Sequence, residues 1–347
     1  MRPGLEQARR VLLIRRKALG DCLVTLPAVR RLAEALPHAK LDLVVDRPFA
    51  PLLQRLAPFC RVIAWSRDQG GGRWYRALRR EGYDLVIDWL GNPRTALWAA
   101  VTGAPLRVGY DLPRRRWAYN LKVPRNRWRG HDLRGFAGEA FLDPLRVLGL
   151  EVKPWHPLGG EVVFQASDLG PRYLAWKAEA RLQEDPPVAL MVSATWPAKA
   201  WPARHIKALY REMRDHGVRA LLIPGPGDQA LLKELGGDWP VEAIAPDTTL
   251  LELADLLGGC RAFVGTDCGP RHLATALGRP TVTVFGPTDT MGWNPADPRH
   301  VALSEPVDCL GCDHTICPRP GRPCLENLSG STVFAGLQGV LAAIEKG

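Results

Sequence analysis

One stretch of the chain holds residue types that could do chemistry on a phosphate. It runs Gly265-Thr-Asp267-Cys268-Gly269-Pro-Arg-His272-Leu-Ala-Thr-Ala-Leu-Gly-Arg-Pro280 and continues directly into Thr281-Val-Thr-Val-Phe-Gly-Pro-Thr-Asp289. The apolar run 262–264 predicts a buried strand, and the Gly-flanked turn after it opens an amphipathic helix through Leu273, Ala276 and Leu277. Unpaired backbone N–H groups at such a positive helix end suit a phosphate or diphosphate, and His272, about one turn in, could add a contact. Gly-rich turns also serve as plain punctuation, so this turn alone leaves an ordinary strand–turn–helix open. A second turn of the same kind, Lys17-Ala-Leu-Gly20-Asp21, follows the strand predicted at 11–14. Gly20 permits the tight turn, and Asp21 falls at the helix start, where a carboxylate caps the helix for about 1 kcal/mol.

Charge is unevenly spread. Residues 1–150 hold 28 Lys and Arg against 13 Asp and Glu, whereas residues 151–347 hold 18 against 23. The densest run is Arg114, Arg115, Arg116, Lys122, Arg125, Arg127, Arg129 and Arg134, interleaved with Trp117, Tyr119 and Trp128. Nucleic acid, an anionic membrane surface or an acidic substrate would all answer that charge. No nucleic-acid-binding module accompanies the run, so no nucleic acid is expected.

The elements that must position these residues read as two α/β series. Strands predicted at 11–14, 41–45, 61–64 and 84–88 alternate with helices at 21–36, 49–56, 74–80 and 94–101. A Pro-rich stretch from 150 to 187 reads as a linker. A second series has strands at 188–192, 220–223, 241–245, 262–264 and 281–285, with helices at 203–216, 228–235, 249–257 and 270–277. Alternation of this kind implies parallel, doubly wound sheets. The expected organisation is an N-terminal Rossmann-like domain over 1–165, a second over 185–330 and a closing helix over 331–347. Two such halves place a ligand cleft at the carboxyl ends of the strands. No window approaches ~18 apolar residues, and the polar N-terminus runs straight into a strand without a signal-peptide core, so a cytoplasmic protein is expected.

The motifs together resemble the bacterial lipopolysaccharide heptosyltransferases, glycosyltransferase family nine. The resemblance rests on Leu19-Gly-Asp21 with Thr25-x-Pro27-Ala28, on Ser193-Ala-Thr195-Trp-x-x-Lys199-x-Trp201-Pro202, and on the 265–280 block with Phe285-Gly-Pro-Thr-Asp289, in the family's order along the chain. It implies a GT-B architecture, two Rossmann-like domains facing across a cleft, and inverting, metal-independent transfer of heptose from ADP-heptose to an anionic lipopolysaccharide inner-core acceptor. Carried over by motif, Asp21 would be the general base and Lys199 would meet charge developing on the departing diphosphate. Ser193 and Thr195 would donate hydroxyls to it, and Asp267, Cys268, Gly269 and His272 would form its cradle. Asp228, after Pro224-Gly-Pro-Gly227, would lie near the nucleotide ribose. The basic run, Arg114, Arg115, Arg116, Lys122 and Arg125 in particular, would capture the acceptor, with the enzyme peripheral at the inner face of the cytoplasmic membrane. Two positions depart from the family pattern: Val24 stands where many members have His, and Cys268 where Thr or Ser is common. Another nucleotide-sugar glycosyltransferase or an epimerase of GT-B fold is the alternative, and a non-catalytic binding protein is the remaining class.

Four of the eight cysteines form Cys309-x2-Cys312-x4-Cys317-x6-Cys324 in a Pro/Gly-rich segment. Clustered cysteines in a cytoplasmic chain suggest metal rather than disulfides, although the second pair lacks zinc-ribbon spacing. The expectations are therefore a structural zinc or another thiolate-bound metal at these four, or free or redox-active thiols. Cys22, Cys60 and Cys260 sit in or beside apolar runs and read as small buried hydrophobes.

Overall fold

The computed structural model describes residues 2–125, 135–158, 162, 164–236, 239, 240 and 243–346. Arg127, Trp128, Arg129 and Arg134 of the basic run lie outside them. The chain divides into two units, 1–158 and 159–347.

The first unit has strands β1 (Arg10–Ile14), β2 (Lys40–Asp46), β3 (Arg61–Trp65), β4 (Leu85–Asp88), β5 (Leu106–Tyr110) and β6 (Leu121–Val123). Its helices are α1 (Leu19–Ala35), α2 (Ala50–Leu56), α3 (Gly71–Arg80), α4 (Pro93–Thr102), α5 (Ala137–Phe141) and α6 (Asp143–Val147). The strands pair in parallel in the order β3-β2-β1-β4-β5-β6, the doubly wound Rossmann order. The run Val11–Ile14 and all of β4 are buried, as strands covered on both faces must be. Local signals start and stop the helices. Asn92 accepts the Thr95 N–H at 2.9 Å, Pro93 follows it at the first helical position, and Gly103 ends α4 in the left-handed region at φ 69°.

The second unit has β7 (Val188–Met191), β8 (Ala220–Leu222), β9 (Ala262–Thr266), β10 (Thr281–Val284) and β11 (His300–Leu303). Its helices are α7 (Pro171–Glu179), α8 (Ala203–Asp215), α9 (Gln229–Leu235), α10 (Leu250–Gly258), α11 (Gly269–Ala276), α12 (Thr290–Trp293), α13 (Pro323–Glu326) and α14 (Gly330–Lys346). The sheet order is β11-β10-β9-β7-β8, and a parallel bridge from Leu222 to Ile244 continues it past β8. With that bridge the second sheet repeats the order of the first. Among the described residues the strand expected at 241–245 is reduced to this bridge. The core gathers Ile206, Leu209 and Met213 of α8 with Val333, Phe334 and Leu337 of α14.

The structure adds β5, β6, β11, α5, α6, α12 and α13, and it places α7 inside the Pro-rich stretch that reads as linker. Pro171 occupies the first turn of α7, where its missing N–H costs nothing.

Candidate active site

In a doubly wound sheet the ligand side is the carboxyl edge, at the point where strand order reverses. In the first unit that point lies between β1 and β4. Arg15, directly after β1, is buried; its Nη1 donates to the carbonyl of Trp89 after β4, and its Nη2 pairs with Asp21. Asp21 is the third residue of α1, not the residue that caps it, because the helix begins at Leu19. Its Oδ2 accepts the Ala18 N–H at 3.1 Å, and its side chain stays 24% exposed. A carboxylate fixed from behind by a buried guanidinium, with one side open, can orient a hydroxyl and accept its proton.

The second unit reverses between β7 and β9, and here too a cation crosses the point. Lys199, in the loop after β7, puts Nζ 2.8 Å from Asp267 Oδ2 and 3.0 Å from the Asp267 carbonyl. The Trp196 ring lies 4.6 Å from the same nitrogen. Asp267, directly after β9, is 6% exposed. Its carboxylate also accepts from Thr288 Oγ1 at 2.9 Å and Arg271 Nη2 at 3.0 Å, and His272 Nε2 lies 3.8 Å away. Burial opposes its charge, but Arg271, Lys199 and His272 outweigh that and hold the carboxyl well below the usual range. Burial also acts on His272. With Arg271 and Lys199 nearby it keeps the imidazole well below the ordinary histidine value despite Asp267, so the ring is neutral at pH 7. Trp293 stands edge-on to that ring at 5.8 Å.

The backbone leaves no slack between these elements. A Cβ on Gly265 would lie 1.9 Å from the Met191 carbonyl oxygen, so β9 approaches β7 as only glycine allows. Thr266 Oγ1 donates to the Ser193 carbonyl at 2.8 Å, tying the loop after β7 to the end of β9. Cys268 is the N-cap of α11, with Gly269 the first helical residue. Burial pushes the Cys268 thiol up to about 11, so it is not a nucleophile near neutral pH.

The sequence-derived site residues thus divide. Lys199, Asp267, Cys268, Gly269 and His272 assemble at one strand end with α11, and Asp21 stands at the corresponding end in the first unit. Asp267 differs from its expected part in a cradle: its oxygens hold Lys199, Arg271 and Thr288. Asp228 is engaged as well, accepting from Ser193 Oγ and, at 2.7 Å, from the Gly225 N–H. Thr195 is exposed in the loop after β7. Arg114 and Arg116 are exposed between β5 and β6, and Arg116 lies 3.4 Å from Asp111. Arg115 Nη1 reaches the Gly91 carbonyl at 3.4 Å, Lys122 is exposed on β6, and the exposed Arg125 lies 5.9 Å from the Tyr110 ring.

The sequence places Arg15 near Asp21 as a neighbouring cation, and the pair forms; Arg271 and Thr288 were not expected at the site. Arg271 is fully buried, its Nη2 on Asp267 and, at 2.8 Å, on the Trp293 carbonyl. Its spacing of four residues from Asp267, across the start of the helix, was the available signal.

The structural zinc expected at Cys309, Cys312, Cys317 and Cys324 is not supported. Among the described residues no group of three or more His, Cys, Asp or Glu side chains is arranged to hold a metal ion. All four are free thiols: Cys312 is exposed, Cys309 and Cys317 are half-buried, and Cys324 is buried in α13. An ion pair from Arg319 to Asp308 closes this loop instead, and Arg322 anchors it to the Pro197 and Ala200 carbonyls at 3.1 and 2.6 Å.

A family model described as glycosyltransferase family 9 (heptosyltransferase) matches residues 72–321. The chain belongs to this family. It is a glycosyltransferase. Lipopolysaccharide heptosyltransferase 1 of Pseudomonas aeruginosa is 29% identical over 89% of this chain and 87% of its own length. The Escherichia coli heptosyltransferase WaaC, solved with ADP-2-deoxy-2-fluoro heptose, is 25% identical, with a TM-score of 0.64 over 95% of this chain and 99% of its own. A glycosyl transferase family 9 structure from Veillonella parvula superposes with a TM-score of 0.79 over 99% of both chains at 19% identity, a likeness of fold. The fold of this heptosyltransferase-family enzyme is GT-B, built of two Rossmann-like α/β units. Among the described residues no helix is long and apolar enough to cross a membrane.

Proposed function

We propose that this enzyme moves heptose from ADP-heptose to an anionic inner-core sugar of lipopolysaccharide by a single, inverting displacement. The observation that carries the reading is the Lys199–Asp267 pair at the start of α11, in a chain whose family match spans that region. The donor follows from the relative solved with an ADP-heptose analogue.

In the reaction, Asp21 accepts the proton of the acceptor hydroxyl as its oxygen bonds to the anomeric carbon, and Arg15 and the Ala18 N–H hold the carboxylate in place. The bond from the anomeric carbon to the diphosphate oxygen breaks, and the electron pair leaves with ADP. Charge growing on that oxygen is met by Lys199 and by the free N–H groups at the α11 N-terminus. Asp267 does not touch the diphosphate, since two anions in contact would repel; it positions Lys199. The neutral His272 serves as a hydrogen-bonding group rather than a second cation. These groups supply the charge that a metal ion would otherwise bring. Ser193 and Thr195 line the loop that carries Lys199, and Asp228 fixes that loop rather than reaching a ribose. Arg114, Arg115, Arg116, Lys122 and Arg125, with Trp117 60% exposed among them, form the surface for the anionic acceptor and for anionic lipid at the inner face of the cytoplasmic membrane.

A nucleotide panel tests the donor. Thermal unfolding with ADP, UDP and GDP should give a shift selective for ADP, worth about 2.7 kcal/mol at a hundredfold excess over its Kd and reduced in Lys199→Ala. Equal shifts with UDP or GDP would remove the ADP-heptose assignment.

A further inference from the structure

The segment 308–322, between β11 and α13, is tied by hydrogen bonds to both turns that serve Asp267. On one side the Thr315 carbonyl accepts the Ala198 N–H at 3.1 Å, within the single turn Pro197–Lys199. On the other, the Gly311 N–H donates to the Gly286 carbonyl at 3.2 Å, and the Asp313 N–H to the Pro287 carbonyl at 2.6 Å, directly before Thr288. Lys199 and Thr288 meet at one atom, Asp267 Oδ2, at 2.8 and 2.9 Å. The segment is thus a strap that joins, from outside, the two turns whose side chains share a carboxylate oxygen.

Arg322, the last residue of the strap, makes the tie nearest Lys199. Its Nη1 donates to the Pro197 carbonyl at 3.1 Å and to the Ala200 carbonyl at 2.6 Å. Those carbonyls stand two residues before Lys199 and one after it. The turn's own closing bond, from the Ala200 N–H to the Pro197 carbonyl, is longer at 3.3 Å. Isolated turns of this tight kind bond poorly, and a charged donor makes a stronger hydrogen bond than a neutral one, so the guanidinium is the firmer of the two closures. The backbone at Arg322 agrees. Its φ is 47°, in the left-handed region, beside Gly321 at φ 75°. Glycine or asparagine takes that conformation at less cost than arginine, so backbone preference does not account for an arginine here. The side chain does.

We propose that Arg322 is a positioning residue for Lys199: by holding both ends of its turn, it fixes the direction from which the ammonium reaches Asp267 and the leaving diphosphate. The inference rests on the role proposed above for Lys199. A lysine stem carries four rotatable carbons, so the place of its ammonium depends on how firmly its backbone is held. A displacement of about 1 Å at a group that acts on the reacting atoms can cost on the order of a hundredfold in rate. Arg322 acts through that placement and needs no contact with the substrate.

Transfer kinetics on the full-length wild type, Arg322→Gly, Lys199→Ala and the double variant test it. Glycine suits the backbone at this position and removes the guanidinium. Arg322→Gly should lower kcat about tenfold and leave the acceptor KM within about twofold. In the Lys199→Ala background the same substitution should change kcat by less than about twofold, because the group it positions is gone. Arg322→Asn, which also tolerates the left-handed region, should repeat both results, and thermal unfolding of every variant reports on the fold. An unchanged kcat in Arg322→Gly, or equal losses in the two backgrounds, overturns the assignment. Unfolding of both the Gly and the Asn variants also overturns it, since the residue would then serve the fold alone. An unchanged kcat in Lys199→Ala is a different failure: it removes the role of Lys199, and this inference falls with it.

Discussion

Lys199 and Asp267 join the two strands that flank the reversal point of the second sheet, with one ammonium bound to both the carboxylate and the backbone carbonyl of the same residue, at 2.8 and 3.0 Å. The lysine thereby spends two of its three N–H donors on position and keeps one for a ligand. Arg271 and Thr288 complete the carboxylate's partners, so Asp267 acts as a buried anchor for cations near α11.

Lys199→Ala removes the group proposed to meet the leaving diphosphate. Transfer should fall about 10²–10³-fold in kcat, the range for losing one preorganised stabilising donor. ADP affinity should fall too, which titration calorimetry reads. Activity within threefold of wild type would take Lys199 out of the mechanism.

Asp21→Asn preserves an oxygen that can accept the Ala18 N–H and removes the proposed base. Transfer should drop about 10²–10⁴-fold while ADP affinity stays within a few-fold. Unchanged turnover with either substrate saturating contradicts the assignment.

His272 makes a pH prediction. Its folded-state pKa is depressed by burial, Arg271 and Lys199, so the unfolded chain takes up a proton near the ordinary value that the folded chain refuses. The unfolded state binds more protons as pH falls below about 6.5, and stability must decrease there, by at most about 1.4 kcal/mol per pH unit from this residue. Urea unfolding of wild type and His272→Gln from pH 7.5 to 5.5 should show a shallower loss in the variant. Parallel curves would mean the ring is charged in the fold.

The thiols should react in an order set by exposure. Cys312 is exposed, Cys309 and Cys317 are half-buried, and Cys22, Cys60, Cys260 and Cys324 are buried. Burial pushes the Cys60 and Cys260 thiols up to about 12. Ellman's reagent on native protein should modify Cys312 first and leave these four until denaturant is added. Early modification of Cys324, mapped by mass spectrometry, would contradict the burial of α13.

Much of the fold was legible because buried parallel strands announce themselves as apolar runs. The runs at 11–14, 41–45, 84–88 and 262–264 all became central strands. The short β6 did not, since Leu121-Lys122-Val123 is half polar and lies in the basic run. Helix α7 was hidden in the Pro-rich stretch, although its one proline, Pro171, sits at its start rather than its middle. The grouping of Lys199 with the 265–272 turn came from motif resemblance, and the sheet order brings them together. What pattern could not supply was the direction of side chains. Asp267 sits in a turn whose sequence suits a phosphate yet points at cations, Asp228 turns onto Ser193, and Arg271 looks like a surface helix residue until the fold buries it. The cysteine spacing suggested a metal and does bring the four together, since burial and then the nearby Cys309, Cys317 and Cys312 push the Cys324 thiol up; among the described residues they nonetheless form no group arranged to hold a metal ion.

The most direct test is to incubate the purified enzyme with ADP-heptose and a heptose-free lipopolysaccharide core acceptor and to follow both products. ADP release should depend on the acceptor, the acceptor mass should increase by one heptose residue, and NMR should show an anomeric configuration opposite to that of the donor. Release of free heptose or an epimerised sugar nucleotide with the acceptor unmodified, or transfer with retained configuration, would contradict the proposed inverting transfer.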